Sequence, residues 1–299
     1  MSYNRRDFLK TTGAATAALT LPSFAGAFDG KNEKNIFGLQ LYALRDALSN
    51  DPKNILKQIA AMGYSGVEPF EHKYLGLFLG MGNKGFKSYI NDLGMKIQSV
   101  HCNVYKDFEK KVEQTAEIGV KYFIYNWEGP GKTLDDYKKM ADDFNTKGEY
   151  CKQHNIKFTF HNHDFTFTEM GGVLPQEWLL DHTDKNLVDF QVDFYWVIVA
   201  GKDPVTHINK YPDRYKLCHF KDLPKDAAER VKSGISSFGG EKPGIIELGT
   251  GKIDFQSILD KIKGSSIKYY IVDQDTCNDR VDPLACIRED AEYMKKLKW

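Results

Sequence analysis

The chain has 299 residues with 41 basic and 41 acidic side chains, a formal charge of zero, and it is 41% hydrophobic and 13% aromatic. That apolar content suffices for a packed core, and roughly 270 residues beyond an export signal suit one large α/β domain, since a single barrel takes about 250. There is no basic tail or stripe of the kind nucleic-acid binding needs, which speaks against a DNA partner.

In chain order, the first readable segment is Asn4-Arg5-Arg6-Asp7-Phe8-Leu9-Lys10, which has the form of a twin-arginine export motif. A small apolar stretch from Thr11 to Phe24 and an A-x-A site at Ala25-Gly26-Ala27 follow. Pro22 interrupts the apolar run, which is too short to span a membrane, so no stable insertion is expected once the signal is cleaved. The expected layout is a signal over 1–27 and one domain over 28–299, located in the periplasm or otherwise outside the cytoplasm. Residues 1–27 carry Arg5, Arg6, Asp7 and Lys10, so the remainder is near −2.

Eight short apolar runs then read as buried parallel strands: Ile36–Leu41, Gly66–Phe70, Lys96–His101, Tyr122–Asn126, Lys157–His161, Val188–Asp193, Lys216–His219 and Tyr269–Asp273. Amphipathic segments alternate with them. Asp51–Met62 places Ile55, Leu56, Ile59 and Ala60 on one face, and Phe86–Leu93, Phe108–Ile118, Leu134–His154, Pro204–Lys210, Phe255–Ile262 and Pro283–Leu297 follow. Gly63, Gly94 and Gly119 are the expected helix stops. Eight strand–helix units predict an α/β fold, a (β/α)8 TIM barrel as a single domain. The Pro/Gly-rich stretch Pro224–Gly251 reads as a long loop at the active face, a lid or substrate wall.

The five cysteines are odd in number and lack CxxC spacing, which speaks against a disulfide framework. Cys102 and Cys218 fall inside strand-like runs and read as small core residues, and Cys277 and Cys286 are the one pair to watch.

Catalytic groups of a barrel sit at the C-terminal ends of its strands. Here those ends read Glu68, Ser99-Val100-His101, Asn126-Trp127-Glu128, His161-Asn162-His163-Asp164, Gln191-Val192-Asp193, His219-Phe220-Lys221-Asp222 and Asp273-Gln274-Asp275. So many ionisable groups at one mouth are costly to bury unless they share a cation or bond one another. A mixed nitrogen and oxygen donor set suits manganese, zinc, cobalt or iron better than magnesium or calcium.

At these residues the sequence resembles the xylose-isomerase-like TIM-barrel superfamily, in particular its sugar phosphate isomerase/epimerase group, which includes inosose dehydratases and ketose 3-epimerases. The resemblance runs from about Ile36 to the C-terminus. It is carried by Gly38-Leu39-Gln40-Leu41-Tyr42 with Arg45-Asp46, Gly66-Val67-Glu68, His161-Asn162-His163-Asp164-Phe165, Val192-Asp193, His219-Phe220-Lys221-Asp222, Gly249-Thr250-Gly251-Lys252-Ile253-Asp254-Phe255 and Tyr270-Ile271-Val272-Asp273-Gln274-Asp275. It implies one divalent metal held by four groups from strands five to eight, commonly Glu, Asp, His and Glu. Asp193 and His219 match that pattern, whereas His161 and Asp273 stand in the two Glu slots. The His that often follows the strand-six Asp is replaced by Tyr195-Trp196. In the epimerases the two glutamates also exchange protons with substrate, so their replacement speaks against a 3-epimerase mechanism.

The resemblance implies a metal-assisted sugar isomerase or epimerase that works through an enediolate on a carbohydrate or polyol. His163 and Lys221, with Glu68, are the expected proton-transfer and charge-stabilising groups, His163 beside the metal rather than on it and Lys221 at the rim. His101, Trp127, Glu128, Trp196, Gln274 and Arg280 are expected around substrate, with Tyr42 and Phe194 as further flat walls. Two alternatives are a lyase or dehydratase on a keto-sugar or 3-keto-glycoside, favoured by the HxH pattern and by export, and a carbohydrate-binding barrel without chemistry. A phosphorylated substrate is disfavoured by export, and Gly249-Thr250-Gly251 is only suggestive of a phosphate loop. A repair endonuclease on the same fold would need a richer metal cluster and a basic face.

Overall fold

In the computed structural model, the structure describes residues 36–126, 129, 132–227 and 244–299. All eight expected strands form and all pair in parallel. They are β1 (Phe37–Gln40), β2 (Gly66–Glu68), β3 (Lys96–Ile97), β4 (Val100–His101), β5 (Tyr122–Tyr125), β6 (Lys157–His161), β7 (Val188–Asp193), β8 (Tyr215–Phe220) and β9 (Tyr269–Val272). Strands β3 and β4 are two pieces of the expected third strand, divided at Gln98-Ser99. The first piece pairs with β2 and the second with β5. The Gln98 and His101 amides still donate to the Val67 and Pro69 carbonyls, and the Glu71 amide donates to the His101 carbonyl, so the parallel barrel is nearly closed. At the break the Gln98 side chain lies across Gly38 and Gly66, where any Cβ would overlap it.

Between strands run α1 (Arg45–Asn50), α2 (Pro52–Ala61), α3 (Gly82–Asp92), α4 (Phe108–Glu117), α5 (Leu134–Gln153), α6 (Pro175–His182), α7 (Phe194–Val199), α8 (Pro204–Lys210), α9 (Phe255–Lys261) and α10 (Pro283–Met294). Three start with the same device: Asp51, Asp203 and Asp282 accept from first-turn amides while the next residue, a proline, occupies the first helical position. Thr133 and Asp136 form a reciprocal capping box on α5. Helices α1, α6 and α7 escaped the periodicity reading. In α7 the reason is plain: Phe194-Tyr195-Trp196-Val197-Ile198-Val199 is apolar all round, and five of the six are buried.

The main core lies between the barrel and its helices, with Phe123, Phe144, Phe158, Phe160 and Phe190 at its centre. A second, smaller cluster of Tyr122, Ile124, Leu217 and Ile271 is separate from it. Alternation along β8 and β9 puts Leu217 and Ile271 on the same faces as His219 and Asp273. The barrel interior is therefore greasy below and polar above. Cys102, Cys151 and Cys218 are buried free thiols, while Cys277 and Cys286 are bonded to each other. That bridge was not readable from spacing, because it forms only when α10 packs beside the turn after β9. No helix among the described residues is long and apolar enough to cross a membrane.

Candidate metal centre

His161 ends β6, Asp193 ends β7, His219 is the last residue but one of β8, and Asp273 directly follows β9. Register pairs Asp193 with His219 across the sheet. One donor atom from each of the four lies within 4.8 Å of the others, and all four residues are buried. His101 forms a second such group with His161 and His219. His163 stands outside both groups, half-buried, with its ring against Phe165, Trp196 and His161.

The charges at this point explain one another. Burial pushes the Asp193 carboxyl up to about 6, although Lys221 and His219 oppose the shift. Burial would do the same to Asp273, but Lys221 and His219 outweigh it and hold that carboxyl well below the usual range. Burial opposes charge on His219, yet Glu68 and Asp273 on its two sides raise it to about 10. His161 is driven the other way, well below the ordinary imidazole value, by burial and then by the neighbouring imidazoles. Two carboxylates and two imidazoles facing one point fit a divalent cation, and Asp193 Oδ2 supplies the direct sign. It is buried with no hydrogen-bond partner, and the nearby side-chain nitrogens are Lys221 Nζ at 3.5 Å and His161 Nε2 at 4.0 Å.

Lys221 is not at the rim. It is only 1% exposed, and its ammonium lies 2.8 Å from Asp273 Oδ2 and 2.8 Å from Asp275 Oδ2. The adjacent carboxylate, Asp222, is engaged elsewhere: it accepts from the amides of Leu223, Gly249, Gly251 and Ile253. Those bonds consume the Gly249 and Gly251 amides, so this turn is a structural clamp and not a phosphate loop. Burial opposes charge on Lys221, but three aspartates hold its pKa well above the usual lysine value. It is a fixed cation that also lies 5.3 Å from the Trp196 ring centroid.

Glu68 is fully buried beneath this layer, away from the cavity wall. Its Oε1 is 2.7 Å from His101 Nε2 and 2.8 Å from His219 Nε2, while Oε2 accepts from Gln191 Nε2 at 2.8 Å and from the Ser99 hydroxyl. Burial disfavours its charge, but His101 and His219 prevail and hold it far below the carboxylate range. A group so enclosed does not meet substrate, which revises the expectation that Glu68 exchanges protons there.

Above the centre opens a cavity of about 930 Å³. His101, His161, His163, Trp196, Lys221 and Asp273 line its inner part, and the aromatic residues Tyr42, Phe70 and Tyr105 line it further on. Of the residues expected around substrate, His101 and Trp196 face this cavity. Gln274 does not: it is 1% exposed, donates to the Ile246 carbonyl and accepts from Thr276. Arg280 also lies off the lining, ion-paired to Glu247 at 3.1 Å. Phe194 packs in the core against Phe220 and Phe255 instead of forming a wall. Trp127, Glu128 and positions 228–243 of the expected lid lie outside the described residues. Sequence reasoning gave Gln191 and Asp275 no role. Their signal was available, since each sits two positions from a chosen ligand on the same strand line.

The chain belongs to the Xylose isomerase-like TIM barrel family, whose model matches residues 56–297. Residues 2–22 match the twin-arginine translocation pathway signal sequence, so the protein is exported by that route. The inosose dehydratase of Clostridium perfringens (strain ATCC 13124) is 28% identical over 165 residues, 54% of this chain and 55% of that protein. The chain thus spans about half the length of that curated relative. A sugar phosphate isomerase/epimerase from Parabacteroides distasonis superposes with a TM-score of 0.73 at 24% identity, over 89% of this chain and 95% of the other. The IolI protein, solved with a bound zinc atom, has a TM-score of 0.68 at 11% identity, over 86% of this chain and 96% of the other. The relatives are thus sugar isomerase/epimerases and dehydratases on one fold.

Proposed function

We propose that this exported protein is a metal-dependent carbohydrate enzyme, a sugar isomerase or epimerase working through an enediolate, with His161, Asp193, His219 and Asp273 as the metal ligands. The observation that carries the reading is the meeting of those four donors, within 4.8 Å, two of which, His161 and Asp273, line a roomy cavity. The zinc held by IolI supports a divalent ion. When bound, such an ion supplies Lewis acidity, polarising a carbonyl and favouring the enediolate.

The rest falls to the chain's own side chains. His163, in the cavity wall but outside the ligand group, takes the proton from the carbon beside the carbonyl. The C–H electron pair becomes the new double bond, and the carbonyl pair moves to oxygen. Lys221, fixed as an ammonium, hydrogen-bonds that oxygen as it gains charge. Trp196 and Tyr42 offer flat faces for the sugar ring. Return of the proton to the former carbonyl carbon, with the hydroxyl proton of the adjacent carbon passing to the first oxygen, gives the isomer; protonation of the original carbon from the opposite face by a solvent water gives the epimer.

A second reading rests on the identity to an inosose dehydratase. The same enediolate expels a β-hydroxyl or an alkoxy group, making the protein a lyase on a keto-sugar or 3-keto-glycoside in the periplasm. The mature, manganese-loaded protein incubated in deuterated water with keto-sugars and 3-keto-glycosides tests both. Deuterium beside the carbonyl of an isomerised product supports the first reading. An unsaturated or shortened product points to the second. Absence of exchange and of product on every sugar, with metal bound, leaves a binding barrel and defeats the proposal.

A further inference from the structure

The layer beneath the ligands has a logic that depends on which atoms can donate. Glu68 as a carboxylate only accepts, so Gln191 turns its NH₂ toward it, at 2.8 Å from Oε2. The amide oxygen of Gln191 then faces the other way, where it lies 3.0 Å from His161 Nδ1 and 2.9 Å from His101 Nε2. An acceptor beside His161 Nδ1 requires the hydrogen on that nitrogen, and leaves Nε2 bare on the side of Asp193. On the other ring the order is reversed. Glu68 Oε1 lies 2.8 Å from His219 Nε2, so a hydrogen sits there; Nδ1 donates to Asp273 Oδ2 at 3.1 Å, and that second proton is the one an ion would replace. His101 Nε2, close to both Glu68 and Gln191 oxygens, is likewise a donor. Ser99 completes the acceptor capacity of Glu68.

We propose that Glu68 and Gln191 are positioning residues that fix the two imidazoles in opposite tautomers, so that His161 offers Nε2 and His219 offers Nδ1 to the ion. The inference rests on the metal reading above. It adds that neither residue touches substrate and that the amide of Gln191 works as a converter: it receives the carboxylate's demand for a donor and passes an acceptor to His161. Partners of this kind govern metal affinity through the ligands they hold, by about 10–100-fold.

The test is long-range 1H–15N correlation on 15N-histidine-labelled mature protein loaded with zinc, together with calorimetric zinc titration of the wild type, Glu68→Gln and Gln191→Met. The expected spectrum shows His161 protonated at Nδ1 and His219 at Nε2, with zinc shifting the opposite nitrogen of each ring. Both variants are expected to bind zinc about 10–100-fold more weakly. In Gln191→Met, which leaves Glu68 and its other partners in place, the His161 tautomer becomes mixed. Coordination of both rings through the same type of nitrogen, or wild-type affinity in both variants, overturns the inference while the metal reading stands. A wild type that binds no zinc overturns the metal reading and this inference with it. The wild-type spectrum decides even where a variant fails to fold.

Discussion

At the scale of single residues, the polar strand ends were the most legible feature. A strand alternates its faces, so a His, Asp or Lys at every second position after an apolar run must line the barrel mouth. His161, Asp193, His219 and Asp273 could be placed together on that ground with the family pattern. Burial depth was less legible. Lys221 has the expected direction, but its three carboxylate partners include Asp273 and Asp275, more than fifty positions away, and their approach sinks it below the rim. This changes what its removal should do. Lys221→Met leaves two buried aspartates, Asp193 and Asp273, and the half-buried Asp275 without their cation, which costs on the order of 3 kcal/mol in chelated protein. Saturating manganese should restore most of the lost melting temperature, while turnover falls by about 10²–10³. Equal melting temperatures for variant and wild type under chelation, by calorimetry, would contradict the role of Lys221 as the counter-ion of this layer.

At the scale of elements, helices with an aspartate–proline start were easy to place, whereas α7 was hidden by its uniformly apolar sequence and by its position directly after β7. The C-terminal helix shows a contact that no local pattern announces. Asp290 on α10 is fully buried, accepts from the Leu248 amide at 2.7 Å through Oδ1, and has no hydrogen-bond partner for Oδ2. Burial, with Glu247, Glu289 and Asp222 nearby, pushes its carboxyl up to about 8. In the unfolded chain it titrates near 4. Between those values the folded protein holds a proton that the unfolded chain has released, so stability from this group is full below about pH 4, falls as pH rises, and levels off above about pH 8. Asp290→Asn keeps the acceptor for Leu248 and has no proton to lose. Its melting temperature relative to wild type should therefore rise by several degrees between pH 5 and pH 8. A difference that stays constant across that range would show that Asp290 is ionised in the folded state.

At the scale of the whole molecule, eight apolar strand runs and the seven amphipathic segments alternating with them made the barrel readable. Two features of its closure did not follow from any local signal. At the division at Gln98-Ser99, Gly38 and Gly66 on neighbouring strands make room for the Gln98 side chain. The Cys277–Cys286 bridge fixes the turn that carries Asp275 and Thr276, both in the cavity wall, to α10 on the outside. Export by the twin-arginine route moves a folded chain, so the proposed metal centre would be filled in the cytoplasm before other ions compete for it. The whole reading turns on that centre. Elemental analysis of mature protein purified without added metal tests it most directly, comparing wild type with Asp193→Ala and His219→Ala. About one divalent ion per wild-type chain, and little or none in either variant, is the expected result. Full metal retention in both variants, or none in the wild type even after loading, would contradict it.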